Sequence, residues 1–200
     1  MSNLRNSFAA VIGLACGYLV LDSPGALAQI VGPADAFQIH YAANLDVGDS
    51  QIDLTNTGTS GGTLCANLYT FDAAEELVSC CTCTVTPNAL ESVSVRTSLV
   101  SFTLTPSIPR SVVVNVLAST GQCNAAALTA GNLASGLRAW STTLHQNTST
   151  VPPKYMSTET EFALSPLTSG QLNHLVTFCA FLQSAGSGFG VCKGCVPKGL

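Results

Sequence analysis

The chain has 200 residues, of which 9% are charged, and its seven Lys+Arg against eleven Asp+Glu leave a net charge of −4. Soluble proteins average roughly 25% charged residues, whereas here Ser and Thr together number 42. This balance excludes a charged disordered tail, which needs dense charge and little apolar content, and a nucleic-acid binder, which needs a basic face for phosphate.

The N-terminus reads as a targeting segment. Arg5 is the one charge before an apolar run over 8–21, Asp22-Ser23-Pro24-Gly25 then breaks any helix, and Ala26-Leu27-Ala28 supplies small residues at an A-x-A cleavage site before Gln29. Residues 1–28 are therefore expected to be a signal peptide. Fourteen apolar residues fall short of the ~20 that span a bilayer as a helix. Gly13-Leu14-Ala15-Cys16 resembles a lipobox loosely, with Gly where a larger aliphatic belongs. No later stretch reaches transmembrane length, so the expected location is secreted, periplasmic or on the cell surface.

Strands come first in the mature chain. Residues 37–41 alternate well enough for an edge strand, and 49–55 alternate with Ile52 and Leu54 on one face. Residues 56–62 form a Gly/Thr/Ser loop, and 64–71 is the clearest strand. Asp72 to Glu76 turns the chain, with Asp72 placed for an Asx turn, and 77–85 runs back as a hairpin. Centring that turn on Ala74 sets Phe71 against Leu77 and Cys65 against Cys83, within disulfide reach; Cys65–Cys81 is the diagonal rival. Short strands are expected over 92–96, 99–104 and 111–118, punctuated by Pro87, Pro106 and Pro109. After Gly121, residues 123–128 suit a helical turn, 137–145 alternates around Trp140, and 146–153 is a polar loop. Thr168-Ser169-Gly170-Gln171 has the capping-box pattern before Leu172, Leu175, Val176, Cys179 and Leu182 at helical spacing. The expected fold is mainly β: an immunoglobulin-like or related antiparallel sandwich over 29–120, with a C-terminal strand/helix extension over 121–200 packed on it and disulfides throughout.

Export turns the cysteines into disulfide candidates. Cys65, Cys80, Cys81, Cys83, Cys123, Cys179, Cys192 and Cys195 remain after the signal, an even number with four on each side of residue 120. Cys179 has Cys192 and Cys123 as candidate partners. Cys80/Cys83 and Cys192/Cys195 are C-x-x-C pairs, a metal-binding alternative, but the gap between them far exceeds zinc-ribbon spacing. A redox role for Cys192-Lys193-Gly194-Cys195 lacks the helix that would follow it.

The segments LCANLYTFDAAEELVSCCTCTVTPNAL and TETEFALSPLTSGQLNHLVTFCAFLQSAGSGFGVCKGC resemble a group of exported bacterial Cys-rich proteins that share C-C-x-C-x-[VI]-T-P-N and G-S-G-[FY]-G-[IV]-C-x-x-C. The resemblance covers most of residues 50–195. It implies export and paired cysteines; the group has no assigned activity, so no catalytic residue carries over.

Other chemistry is sparse. Gly58-Thr59-Ser60-Gly61-Gly62 matches G-x-S-x-G, with His40 and Asp46, Asp49 or Asp53 as paper partners for a hydrolase triad, yet a nucleophile elbow needs a strand before and a helix after. The same aspartates match no calcium-loop consensus. Glu75-Glu76 reads as solvated charge on a turn. His40, His145 and His174 are scattered, Trp140 is expected in the core although a sugar platform is its alternative, and Asn147-Thr148-Ser149 has the form of a glycosylation sequon. The expected function is a non-catalytic, disulfide-stabilised binding or structural module of the bacterial exterior, with no metal or cofactor and no nucleic-acid partner. Its partners are expected to be a second copy or an extracellular protein or glycan, since Ser/Thr-rich strands with few charges guard their edges poorly.

Overall fold

The structure, a computed structural model, describes residues 29–103, 107–185, 188–192 and 195; the expected signal peptide, 1–28, lies outside them. Among the described residues the strands are β1 (Phe37–Ala43), β2 (Gln51–Asn56), β3 (Leu64–Asp72), β4 (Leu77–Val85), β5 (Leu90–Ser94), β6 (Ser111–Ser119), β7 (Leu137–Asn147), β8 (Lys154–Glu161) and β9 (Ala163–Leu164), followed by helix α1 (Ser169–Ser184). They form two antiparallel sheets, a five-stranded one in the order β4-β3-β6-β1-β9 and a four-stranded one in the order β5-β2-β7-β8. Strands after residue 120 complete both sheets. β1 pairs with β6 and not with β2, an order different from the A-B-E-D and C-F-G sheets of immunoglobulin constant domains.

Burial explains the texture of each strand. β2 alternates: Ile52, Leu54 and Asn56 are buried while Gln51, Asp53 and Thr55 are half-buried, because one face packs inward and the other meets solvent. β3 is buried without interruption from Leu64 to Thr70, because the five-stranded sheet is covered on both faces. Leu64, Ala66 and Leu68 enter the core between the sheets with Ile52, Leu54, Leu137 and Ala139. Tyr69 points the other way, into a second core beneath α1 with Leu172, Leu175, Cys179 and Leu182. The result is three layers, sheet on sheet under a helix. Each fully buried Leu contributes about 1.5–3 kcal/mol.

The helix begins where its cap was read. Thr168 is the N-cap, and its hydroxyl accepts from the Gln171 backbone N–H at 3.1 Å. Tyr69 anchors the layer below by donating its buried hydroxyl to the Ala125 carbonyl at 2.6 Å, and burial pushes the phenol well above its usual range. Tyr69→Phe keeps the ring and strips the bond, so it is expected to cost about 1–2 kcal/mol in denaturant unfolding; a loss below a few tenths would show that water replaces the hydroxyl.

The hairpin opens as expected, with Phe71 opposite Leu77, but a bulge between Thr70 and Phe71 shifts the rest of the ladder by one residue. Cys65 therefore faces Thr84, and Cys83 faces Ala66. One extra residue reverses which side chains share a face, so neither Cys65–Cys83 nor Cys65–Cys81 forms. The expected strand over 92–96 ends at Ser94, and of the one expected over 99–104 residues 100–103 form no strand while 104 lies outside the described residues. Val95–Leu99 is a π turn capped by the Ser94 side chain, which accepts from Thr97 N, and it buries Val95 and Leu99; helical spacing serves the core better there than alternation. The Val95 N–H donates to Ser50 O at 2.8 Å, tying the turn to the start of β2.

Candidate functional site

Two constructions stand out: the cysteine staples of β4 and a groove beside β1 that carries two histidines on a largely apolar lining. The disulfides are Cys65–Cys123, Cys80–Cys179, Cys81–Cys192 and Cys83–Cys195, with Cα–Cα distances of 5.3, 5.7, 5.3 and 4.5 Å, all in the usual range. Every bond joins a cysteine before residue 120 to one after it. Three of them start on β4, the edge of its sheet. Cys80 projects toward α1 and takes Cys179, while Cys81 and Cys83 face the inter-sheet core and take the C-terminal pair. Cys179 thus bonds neither Cys192 nor Cys123. The Cys80/Cys83 pair is split between the two faces of β4, whereas Cys81, Cys83, Cys192 and Cys195 gather on one face, with Cys81 Sγ 3.8 Å from Cys195 Sγ, and are joined there as two disulfides.

The C-terminal segment also caps the β4 edge through its backbone. Val191 makes a parallel bridge to Cys80, and the Cys80 N–H donates to Gly190 O at 2.8 Å. Gly190 sits at φ +73°, where a Cβ would lie 3.2 Å from Leu182 and 3.4 Å from the Val78 carbonyl. The left-handed backbone favours glycine and the close approach adds crowding for any side chain, which gives the last residue of the GSGFG run a structural task.

The groove, an open depression of about 370 Å3, lies between β1 and the β7–β8 hairpin and is lined by Ile39, His40, Tyr41, Thr143, His145, Thr158, Thr160, Glu161 and Ala163. β1 and β7 are linked there by side chains, not by a ladder: Gln38 Nε2 donates to Leu137 O at 2.9 Å, Thr143 Oγ1 to Tyr41 O at 3.1 Å and Asn44 Nδ2 to Leu144 O at 2.7 Å. Thr158 and Thr160 project to one face of β8, two residues apart, and each meets an imidazole. His40 Nε2 is 2.8 Å from Thr160 Oγ1, and His145 Nε2 is 2.7 Å from Thr158 Oγ1. His40 packs against Phe162, ring centroids 4.8 Å apart.

Partial burial of His40 holds its pKa below the ordinary 6.5, outweighing a backbone hydrogen bond at Tyr41 that acts the other way. The unfolded chain therefore binds the proton more readily. The histidine's contribution to stability is complete above pH 6.5 and falls as pH drops from there toward the folded pKa. An NMR titration should find the His40 ring titrating below 6.5 in the folded protein, and His40→Gln should flatten this part of the stability profile. A folded pKa at or above 6.5 contradicts the assignment.

The remaining candidates do not converge. Ser60 Oγ donates to Gly62 O at 3.1 Å within its own loop, which Asn56 holds by donating to Gly62 O and Val85 O and accepting from Gly58 N. Asp49 accepts from the N–H groups of Ser50 and Arg96, both at 2.8 Å, Asp53 accepts from Ser92 Oγ, and Asp46 pairs with Arg110 at 3.0 Å on the surface. No triad and no shared cation cage is assembled from these groups. Asp72 accepts from Ala74 N and Glu76 N at 2.9 and 3.0 Å, the Asx turn read from sequence. His174 is exposed on α1 and packs tilted against Phe178, 4.2 Å between ring centroids. Trp140 is half-buried on the outer face of β7, opposite Asp53 of β2 and Glu161 of β8, not in the core: Leu137, Ala139 and Ser141 take the inward positions of that strand. In the Asn147-Thr148-Ser149 run, Asn147 Oδ1 accepts from Ser149 N at 3.0 Å.

Thr158 and Thr160 were absent from the sequence reading, and no spacing rule links them to His40; the pairing exists because β8 folds back along β7 beside β1. In the groove each imidazole nitrogen bonds a threonine hydroxyl, and the His40 ring also has a backbone hydrogen bond at Tyr41. Hydroxyls and imidazoles together make a hydrogen-bonding surface. Among the described residues no helix is long and apolar enough to cross a membrane. No protein-family model, curated protein or solved structure matches the chain.

Proposed function

We propose that the chain is an exported, non-catalytic module of the bacterial cell exterior that works by binding or by assembly. The observation that carries this reading is the set of four disulfides, each joining the first half of the chain to the second, an arrangement that persists in oxidising compartments. The apolar run before an A-x-A site and the resemblance to exported Cys-rich bacterial proteins support it further. A hydrolase reading has less behind it, since Ser60 is engaged within its own loop and the aspartates each serve a local turn or strand.

The test is to produce the full chain in a bacterial host, collect it from the cell envelope and the medium, and measure its intact mass without reduction. The expected product starts at Gln29, weighs eight hydrogens less than the reduced form and takes up no alkylating reagent. Protein recovered from the cytoplasm that keeps Met1 and exposes alkylatable thiols would overturn the reading.

A further inference from the structure

Two of the four disulfides lie close enough to exchange partners. Cys81 is bonded to Cys192 and Cys83 to Cys195, yet Cys81 Sγ also lies 3.8 Å from Cys195 Sγ. The sulfurs therefore run in the order Cys192, Cys81, Cys195, Cys83, bonded at each end of the row and in contact at its middle. Access differs along the row. Cys192 and Cys195 are half-buried, Cys81 is 7% exposed and Cys83 is fully buried. Cys81, Cys192 and Cys195 line an open depression of about 230 Å3, so a small thiol from solvent reaches the Cys81–Cys192 bond. Cys80–Cys179 offers no such access, since both of its cysteines are fully buried.

We propose that Cys81, Cys83, Cys192 and Cys195 form a thiol–disulfide exchange centre for small dithiols, entered at Cys192 and relayed through Cys81 to Cys195. One thiolate of the dithiol attacks Cys192 Sγ; a mixed disulfide forms there, and the Cys81–Cys192 bond breaks to leave Cys81 as a thiolate. Cys81 then attacks Cys195 Sγ across the existing contact. The Cys81–Cys195 bond forms, the Cys83–Cys195 bond breaks, and Cys83 leaves as a thiolate that takes up a proton. The second thiol of the dithiol displaces Cys192 from the mixed disulfide, and Cys192 takes up the other proton. In sum the dithiol is oxidised to a disulfide, and the protein is reduced to one bond, Cys81–Cys195, with thiols at Cys83 and Cys192.

Burial gives the relay its direction. A thiolate is penalised in the apolar core, whereas a neutral thiol packs there as a small hydrophobe. Once protonated, Cys83 is a poor nucleophile for the return step. The exchange runs between β4 and the C-terminal segment and not within the Cys192/Cys195 pair, so it needs no helix behind that pair. It is stoichiometric, and it goes beyond the binding or assembly role proposed above.

The experiment treats the mature chain, its four disulfides verified by mass, with about one equivalent of dithiothreitol near pH 8. Acid quenching, alkylation in denaturant and fragment mass spectrometry then locate the thiols and bonds of the product that has gained two hydrogens. The expected product holds a Cys81–Cys195 bond and carries label on Cys83 and Cys192. Reduced protein that retains native pairings alone overturns the proposal, and so does a protein that yields no thiol to about ten equivalents in about an hour. Cys83→Ala tests the central step without reductant. It leaves the Cys195 thiol beside Cys81, and trypsin cuts after Lys193, between Cys192 and Cys195. Exchange of Cys81 between its two partners should place label on both Cys192 and Cys195. Label confined to Cys195, in a variant whose circular dichroism matches the wild type, overturns the relay; should the variant misfold, the dithiothreitol reaction of the wild type decides.

Discussion

Replacing Cys65 and Cys123 together by alanine is expected to destabilise the protein by about 4 kcal/mol, more than losing either Cys80–Cys179 or Cys83–Cys195. In sequence these bonds span 58, 99 and 112 residues respectively, so separation alone ranks them the other way. The entropy that a cross-link removes from the unfolded chain depends, however, on the loop it closes once the other cross-links are in place. For Cys65–Cys123 no other bond offers a shorter path. Cys80–Cys179 has Cys81–Cys192 beside it, one residue away on β4 and thirteen on the other side, and this reduces its worth to about 3 kcal/mol. Cys83–Cys195 lies two and three residues from the same bond and is worth about 2 kcal/mol. Cys65, Cys80 and Cys83 are all 1% exposed or less, so the cavity cost of the cysteines on the sheet is similar in the three variants. Guanidinium unfolding of each double-alanine variant, with the other three bonds verified by mass, measures the order. If Cys83→Ala/Cys195→Ala costs the most, strain and packing govern these bonds and chain entropy does not.

What the sequence made legible follows from how many faces of an element are buried. β2 and β7 show alternation because one face is wet, and β3 shows a continuous apolar run because both are dry. The start of α1 was legible in Thr168 and its end in the Gly-rich run. β8 was invisible for the converse reason: a strand exposed on both faces carries no hydrophobic period, so KYMSTETE, just after the polar loop expected over 146–153, suggests no element. The π turn at Val95–Leu99 joins the end of the expected strand over 92–96 to the start of the one over 99–104, because Val93, Val95, Leu99 and Val100 are good strand residues; the four-residue spacing of Val95 and Leu99 becomes meaningful once both are seen in the core. The cysteine partners were hidden by the bulge after Leu77, which reverses faces along β4, and by the path of the C-terminal segment, which local pattern does not encode. The groove is subject to the same limit. His40 and Thr160 sit 120 residues apart, and nothing in their neighbourhoods marks the contact.

Asn67 is the residue at which a single isosteric change should do most harm. It is fully buried on the α1 side of β3, where an apolar residue would be expected, and its amide is saturated. Nδ2 donates to Leu117 O at 3.0 Å, Ser119 Oγ at 2.9 Å and, more distantly, Cys65 O at 3.3 Å. Oδ1 accepts from Thr82 Oγ1 at 2.7 Å, so one side chain ties together β3, β4 and β6. Asn67→Asp preserves the shape and replaces the donating nitrogen with a second oxygen, aimed at two carbonyls in a dry site. Burying that charge with no cation beside it, the Thr82 hydroxyl remaining as a donor, is expected to cost about 4 kcal/mol at pH 7, whereas Asn67→Ala loses the bonds without adding charge and should cost about 2–3 kcal/mol. The two are separable by pH. Desolvation and the facing carbonyls raise the carboxyl's folded pKa above its unfolded value near 3.9, so its penalty is relieved as pH falls through that raised pKa. Denaturant unfolding at pH 7 and pH 4, each against wild type, should show Asn67→Asp recovering most of its deficit while Asn67→Ala does not. Equal deficits for Asn67→Asp at both pH values would mean that water reaches the side chain and that the junction of the three strands is not dry.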